Sequence, residues 1–128
     1  MTPHNEKGME GVTRISLPWP DKVLSPNTRL HWGRKARAVK SARETAFWLT
    51  WEAIGGRRPG WARAALTWEF CPPSKRRFDT DNLVSQHKAA NDGIADALGI
   101  DDHLFVSTYR MGSPVKGGAV VVTVRRSA

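Results

Sequence analysis

Residues Lys35 to Ile54 run without a single Gly or Pro, and this uninterrupted stretch constrains the fold more than any other feature. Within it Val39, Ala42, Ala46, Phe47, Thr50 and Ile54 recur at helical spacing. The pattern predicts one long helix with a single packed stripe, stopped by Gly55-Gly56. Such a stripe needs a second layer to bury it, and the remaining chain reads as strands. Ile15, Leu17 and Trp19 alternate with polar neighbours over Thr13–Trp19, before Pro18 and Pro20 end the run. Ala64, Leu66, Trp68 and Phe70 alternate with Ala65, Thr67 and Glu69 and stop at Pro72-Pro73. A second helix is expected from Asp81 to Leu98, closed by Gly99. Phe105 to Met111 and Ala119 to Arg125 read as strands joined by the turn residues Ser113 to Gly118, and are expected to form a hairpin. The order β-α-β-α-β-β predicts an α+β fold, a small four-stranded mixed sheet with two main helices on one face.

A chain of 128 residues suits one domain, placed at 11–128 behind a polar tail at 1–10 expected to be disordered. It can bury roughly two-thirds of its unfolded surface, enough for a core without disulfides. Its one cysteine, Cys71, has no internal partner, which fits a reducing cytoplasm. No run approaches the ~18–20 apolar residues of a membrane span, and Met1 to Glu10 has neither a signal-peptide nor a transit-peptide pattern. Lys and Arg outnumber Asp and Glu 20 to 12, a formal charge of +8 and a pI near 10.4. That imbalance points to a polyanion, nucleic acid above all. Six of the 12 acids fall between Asp79 and Asp102, which suggests a metal site set in a phosphate-binding surface.

The informative segment is Lys75-Arg76-Arg77-Phe78-Asp79-Thr80-Asp81-Asn82-Leu83, followed by Lys88, Asp92 and Asp101-Asp102. At 100° per residue, Leu83, His87, Ala90, Ile94 and Leu98 form the core stripe of the second helix. Asp81, Ser85, Lys88, Asp92 and Asp96 form the opposite stripe. Asp79 points the same way as Asp81 if Phe78 to Asp81 is extended. One N-cap needs one Asp, and here there are two. Two carboxylates ~5 Å apart repel by roughly 3 kcal/mol at an effective dielectric of 20, and Asp102 adds to this. A hard cation, Mg²⁺ or Mn²⁺, relieves the repulsion. Lys75, Arg76 and Arg77 are candidate phosphate contacts. Lys88 is placed to stabilise developing negative charge, its alternative being a solvated pair with Asp92. Asp96 reads as an ordinary surface acid.

Other residues read more plainly. Trp32 is expected to pack its loop down, with base stacking as the alternative, and most of the six Trp are expected in a core or dimer interface. His31 is a poor candidate for a base. His87 is expected to be packed and Cys71 to be buried, and His103, beside Asp102, is a poor candidate for contact with the metal site.

Arg-Arg-x-Asp-x-Asp-Asn-Leu, then Lys, then Asp-Ala-Leu-Gly and an Asp-Asp pair resembles the RusA family of Holliday junction resolvases, common in phages and prophages. Ile15 to Pro20 resembles the family's first strand, Ser25-Pro26-Asn27 its Asn-bearing loop, and Pro114 to Gly118 its last turn. The resemblance implies Mg²⁺-dependent cleavage of four-way DNA junctions by a homodimer, in the host cytoplasm if phage-encoded. It carries three essential aspartates onto Asp79, Asp81 and Asp102, with Asp101 an alternative to Asp102, and DNA contact onto Asn27. The family lysine falls on Lys88, one turn later than expected, with Ser85 in the usual place. Two other functions share these residues: a non-catalytic module for branched or single-stranded DNA, and a metal nuclease acting on flaps or forks.

Overall fold

The computed structural model describes residues 12–25 and 32–127. The expected tail, Asn27 and His31 lie outside them. Four strands form one sheet in the order β1-β4-β2-β3: β1 (Val12–Leu17), β2 (Ala64–Cys71), β3 (Phe105–Met111) and β4 (Ala119–Arg126). Among the described residues three α-helices accompany it: α1 (Trp32–Ala53), α2 (Thr80–Gln86) and α3 (Lys88–Leu98). The expected α+β fold with a mixed sheet is the one observed.

The expected hairpin between the last two strands does not form. β4 pairs antiparallel with both β1 and β2, while β3 pairs parallel with β2. Two contacts explain the detour: Gly112 N–H donates to the Phe70 carbonyl (2.8 Å) and Val115 N–H to the Pro72 carbonyl (2.9 Å). The chain after β3 is thereby drawn across the end of β2 and enters the sheet on its far side. Burial supplies the driving force. Val120, Val122 and Val124 are fully buried in β4, and a strand with that many buried side chains belongs inside a sheet rather than at its edge.

The core lies between one face of the sheet and the helices. Ile15 and Leu17 of β1, Leu66, Trp68 and Phe70 of β2, and the three valines of β4 meet Ala46 of α1 and Leu83, Ala90, Ile94 and Leu98 of the α2–α3 segment. The core stripe expected for that segment is buried throughout. α1 and α3 approach closely at Gly93, where a Cβ would strike the Arg43 carbonyl and crowd Phe47 and Ala46. Small residues are needed there for the helices to meet.

The single helix expected over Asp81–Leu98 is broken at His87 (φ −101°, ψ 10°). No Gly or Pro causes this. The Leu83 carbonyl, which would accept the backbone N–H of His87 in a continuous helix, instead takes the imidazole Nδ1–H at 2.6 Å. The displaced N–H tightens onto the Val84 carbonyl at 3.1 Å. A side chain has replaced its own backbone donor, which bends the axis.

Candidate active site

Asp79 caps α2. Its backbone is extended (φ −80°, ψ 116°) and its Oδ1 accepts the Asn82 N–H at 3.3 Å, a role Asp fills well. Asp81 stands exposed in the first turn. Asn82 is tied from its far side by the Ser25 hydroxyl, which donates to Oδ1 at 3.2 Å. The basic loop before α2 is also anchored. Arg76 lies over the Phe78 ring (5.1 Å), and Phe78 packs edge-on against Trp19 (5.3 Å). Lys75, Arg76 and Arg77 are all exposed.

Of these residues, Trp19, Ser25, Arg76, Phe78, Asp79 and Asn82 border a groove of about 1060 Å³, whereas Lys75, Arg77 and Asp81 do not line it. Its cations are Lys22, Arg34 and Arg76, and its carboxylates are Asp21 and Asp79. Asp21 is engaged locally, accepting the Val23 N–H at 3.0 Å. Three cations against two carboxylates leave the groove basic overall, with the Asp79 acid in its wall. Arg34, Lys22 and Asp21 were not legible as site residues, because they come from α1 and the loop after β1, remote in sequence from the acid segment.

Asp102 does not join Asp79. It opens a 3-10 turn (Asp102–Leu104) just before β3 and borders a second concavity with Arg43, Arg58, Asp96 and Gly99. Asp79 follows the C-terminal end of β2, while Asp102 precedes the N-terminal end of β3. The parallel ladder between those ends, from Ala64↔Phe105 to Phe70↔Met111, is about 20 Å long at ~3.3 Å per residue. Oxygens ~2.1 Å from a shared Mg²⁺ cannot be that far apart. Among the described residues, no three His, Cys, Asp or Glu side chains gather where they could hold a cation. The expectation of one three-aspartate shell is therefore corrected for a single chain. The spacing along the sequence brought the three together on paper, but the β2–α–β3 crossover places them at opposite ends of the sheet.

The remaining candidates fall as follows. Lys88 pairs with Asp92 at 3.4 Å and keeps 75% of its side chain exposed. Asp96 receives both Nε (2.8 Å) and Nη2 (3.0 Å) of Arg43, a bidentate structural pair. Asp101 is held by His103 Nδ1 at 2.7 Å, and this hydrogen bond holds its carboxyl below the usual range. His103 is thus a partner of Asp101. Cys71 is buried, and burial raises its thiol pKa. Trp32 is 79% exposed, contrary to its expected anchoring role, and Trp68 is the one buried Trp among the described residues. His87 is packed as expected, with its pKa lowered by burial. Its Nε2 and the nearby Trp68 Nε1 are buried without hydrogen-bond partners.

A protein of Xylella fastidiosa bearing the name "Uncharacterized protein" is 41% identical over 126 residues, covering 91% of this chain and 78% of that protein. The chain belongs to the same family as that protein. No model of a known protein family matches the chain. None of the helices among the described residues is long and apolar enough to cross a membrane.

Proposed function

We propose that this chain is a Mg²⁺-dependent endodeoxyribonuclease that resolves four-way DNA junctions, as its resemblance to the RusA family implies. One observation carries the reading: the Asp79 carboxylate stands in a groove lined by three cations, Lys22, Arg34 and Arg76, with Asp21, already engaged by the Val23 N–H, as its one other carboxylate. Cations there draw in the phosphate backbone. A carboxylate at the same place opposes phosphate unless a cation lies between them.

Asp79 and Asp81 would hold the ion, Mg²⁺ or Mn²⁺, with the Asp79 oxygen not given to the Asn82 N–H available to it. When bound, the ion activates water and neutralises charge at the scissile phosphate. The protein's own residues do the rest. Arg76, braced on Phe78, and Arg34 hold flanking phosphates. Lys75 and Arg77 extend that contact. Lys88, loosely paired on the exposed face, stabilises negative charge as it develops.

One chain offers two of the three carboxylates in one place. The third, Asp102, enters from a second copy, which makes the homodimer a condition of activity. A two-fold dimer then presents two such sites, matching the two-fold symmetry of a junction's paired strands.

A second reading has its own support. Asp79 caps α2, which accounts for its presence without any metal and is compatible with a module that binds branched DNA without cutting it. A panel of end-labelled four-way junctions, flaps, forks and duplexes, in Mg²⁺ and in Mn²⁺, separates these. Paired, symmetric nicks in the junction are the expected result. Binding without nicking in either metal would give the binding module, and preferential flap or fork cutting would change the substrate.

A further inference from the structure

One face of the sheet carries the core, and no helix among the described residues packs on the other. The β3–β4 connection lies over one end of that open face, where Gly112 meets the Glu69 and Cys71 side chains. Strand alternation decides which residues the rest of the face displays. The register sets Arg14, Thr123, Thr67 and Thr108 in one row across it, and Arg125 in the next row, opposite Val12 and Ala65. The outward charges of the four strands are three arginines and one carboxylate. The carboxylate, Glu69, is held by Arg110 at 3.2 Å. Arg14 and Arg125 remain. They are diagonal neighbours, because Arg14 pairs with Thr123 and Val12 with Arg125, which sets their backbones about 7–8 Å apart. Both are exposed, and among the described residues neither has a carboxylate within ion-pair distance. Like charges on neighbouring strands are destabilising, and an anion between them removes that cost.

We propose that this open face holds the sugar–phosphate backbone of a DNA duplex arm, with Arg14 and Arg125 each taking a phosphate and the Thr67 and Thr123 hydroxyls donating beside them. The residue types choose the occupant. Arg and Thr are phosphate-contacting side chains, and Arg matches phosphate geometry best. None of the outward residues is aromatic, so the face has no ring on which unpaired bases could stack. Its apolar members are small, Val12, Ala65, Val106 and Val121, and give no large anchor of the kind on which protein interfaces centre. A single strand, an acidic protein and a second copy are thereby disfavoured, and a duplex recognised by its backbone fits. The groove at Asp79 takes its Arg34 from α1 and its acid from the start of α2, so one chain presents cations on both sides of its sheet. The arms of a four-way junction can meet both, whereas a straight duplex meets one at a time. The inference rests on the reading of the substrate as DNA and is independent of the cleavage chemistry.

Arg14→Gln with Arg125→Gln keeps long side chains on both strands and removes both charges. Junction binding by the full chain, measured in Ca²⁺ across a salt series, should lose about 1.8 from the slope of log K against log[salt], 0.9 for each duplex phosphate contact. Arg14→Lys with Arg125→Lys should keep the slope, which separates charge from folding. Lys40→Gln with Arg57→Gln takes the same charge from exposed sites on α1 and the loop after it, and should also keep the slope. Nicking of a saturated junction in Mg²⁺ should be as fast for the Arg14 and Arg125 Gln pair as for wild type, because neither arginine lines the groove. An unchanged slope for that pair, or an equal fall for the Lys40 and Arg57 pair, would overturn the proposal. So would a wild-type dimer that the Arg14 and Arg125 Gln pair turns into a monomer in sedimentation velocity, since the face would then be a subunit contact. A wild type with no affinity for DNA would remove the DNA reading and this surface with it. Binding that follows the two arginines without any nicking would leave the surface standing and remove the nuclease reading alone.

Discussion

Asp79 has two candidate roles, cap and cation ligand, and a pair of substitutions separates them. Asp79→Asn keeps a good N-cap, since the amide oxygen accepts the Asn82 N–H as the carboxylate does at 3.3 Å. It removes one negative charge from the start of α2, worth about 0.3–1 kcal/mol against the helix dipole at an exposed site. Asp79→Ala removes both charge and cap, and the cap alone is worth about 1 kcal/mol. In metal-free buffer the Ala variant should therefore melt about 3–6 °C below the Asn variant, given the ~1 kcal/mol between them and the usual sensitivity for a domain near this size. Catalysis should not follow that order. Both variants lack the ligand oxygen, and each should nick junctions slower by two or more orders of magnitude, because each 1.36 kcal/mol of lost stabilisation is tenfold. Binding in Ca²⁺ or EDTA should hold or tighten for Asp79→Asn, since a repulsion toward phosphate is gone. Thermal melts, gel shifts and a nicking time course read the three quantities separately. If Asp79→Asn nicks at the wild-type rate while Asp79→Ala nicks in proportion to its lost stability, Asp79 is a cap and the metal assignment fails.

Three further outcomes follow from the geometry. Replacing Arg76 and Arg77 with Ala should flatten the plot of log K for junction binding against log[salt] by about 0.9 per lost duplex phosphate contact; an unchanged slope would mean neither arginine touches phosphate. Gly93→Ala should destabilise the fold by about 1–3 kcal/mol or more in urea unfolding, because the new Cβ meets the Arg43 backbone, which cannot step aside as a side chain would; a neutral result would show that α1 and α3 separate easily. Burial lowers the folded pKa of His87, so the unfolded chain binds the proton first as pH falls. Its contribution is present above about pH 6.5 and is lost as pH drops from there through the folded pKa. Urea midpoints between pH 7.5 and 5 should fall less steeply for His87→Gln than for wild type, and parallel curves would contradict the assignment.

The sequence by itself determined what repeats locally. Strand alternation and helical spacing depend on near neighbours, so β2, β3 and the buried stripe Leu83, His87, Ala90, Ile94 and Leu98 were legible, while the capping position fell to Asp79 rather than next to an expected start at Asp81. The break at His87 was not, because it arises from an imidazole competing for one carbonyl, a contact that no propensity of His foretells. Strand order was not legible either. A short turn between β3 and β4 predicts a hairpin, but the carbonyls of Phe70 and Pro72 draw that turn past β2, and the fully buried valines of β4 take the inner place. The same cause divides the acidic residues. Asp79 and Asp102 are close in sequence, yet a parallel β-α-β crossover necessarily returns the chain to the opposite end of the sheet. Only the tertiary structure could set Arg34 and Lys22 in one groove with Asp79, and Asp102 by the opposite end of the β2–β3 ladder.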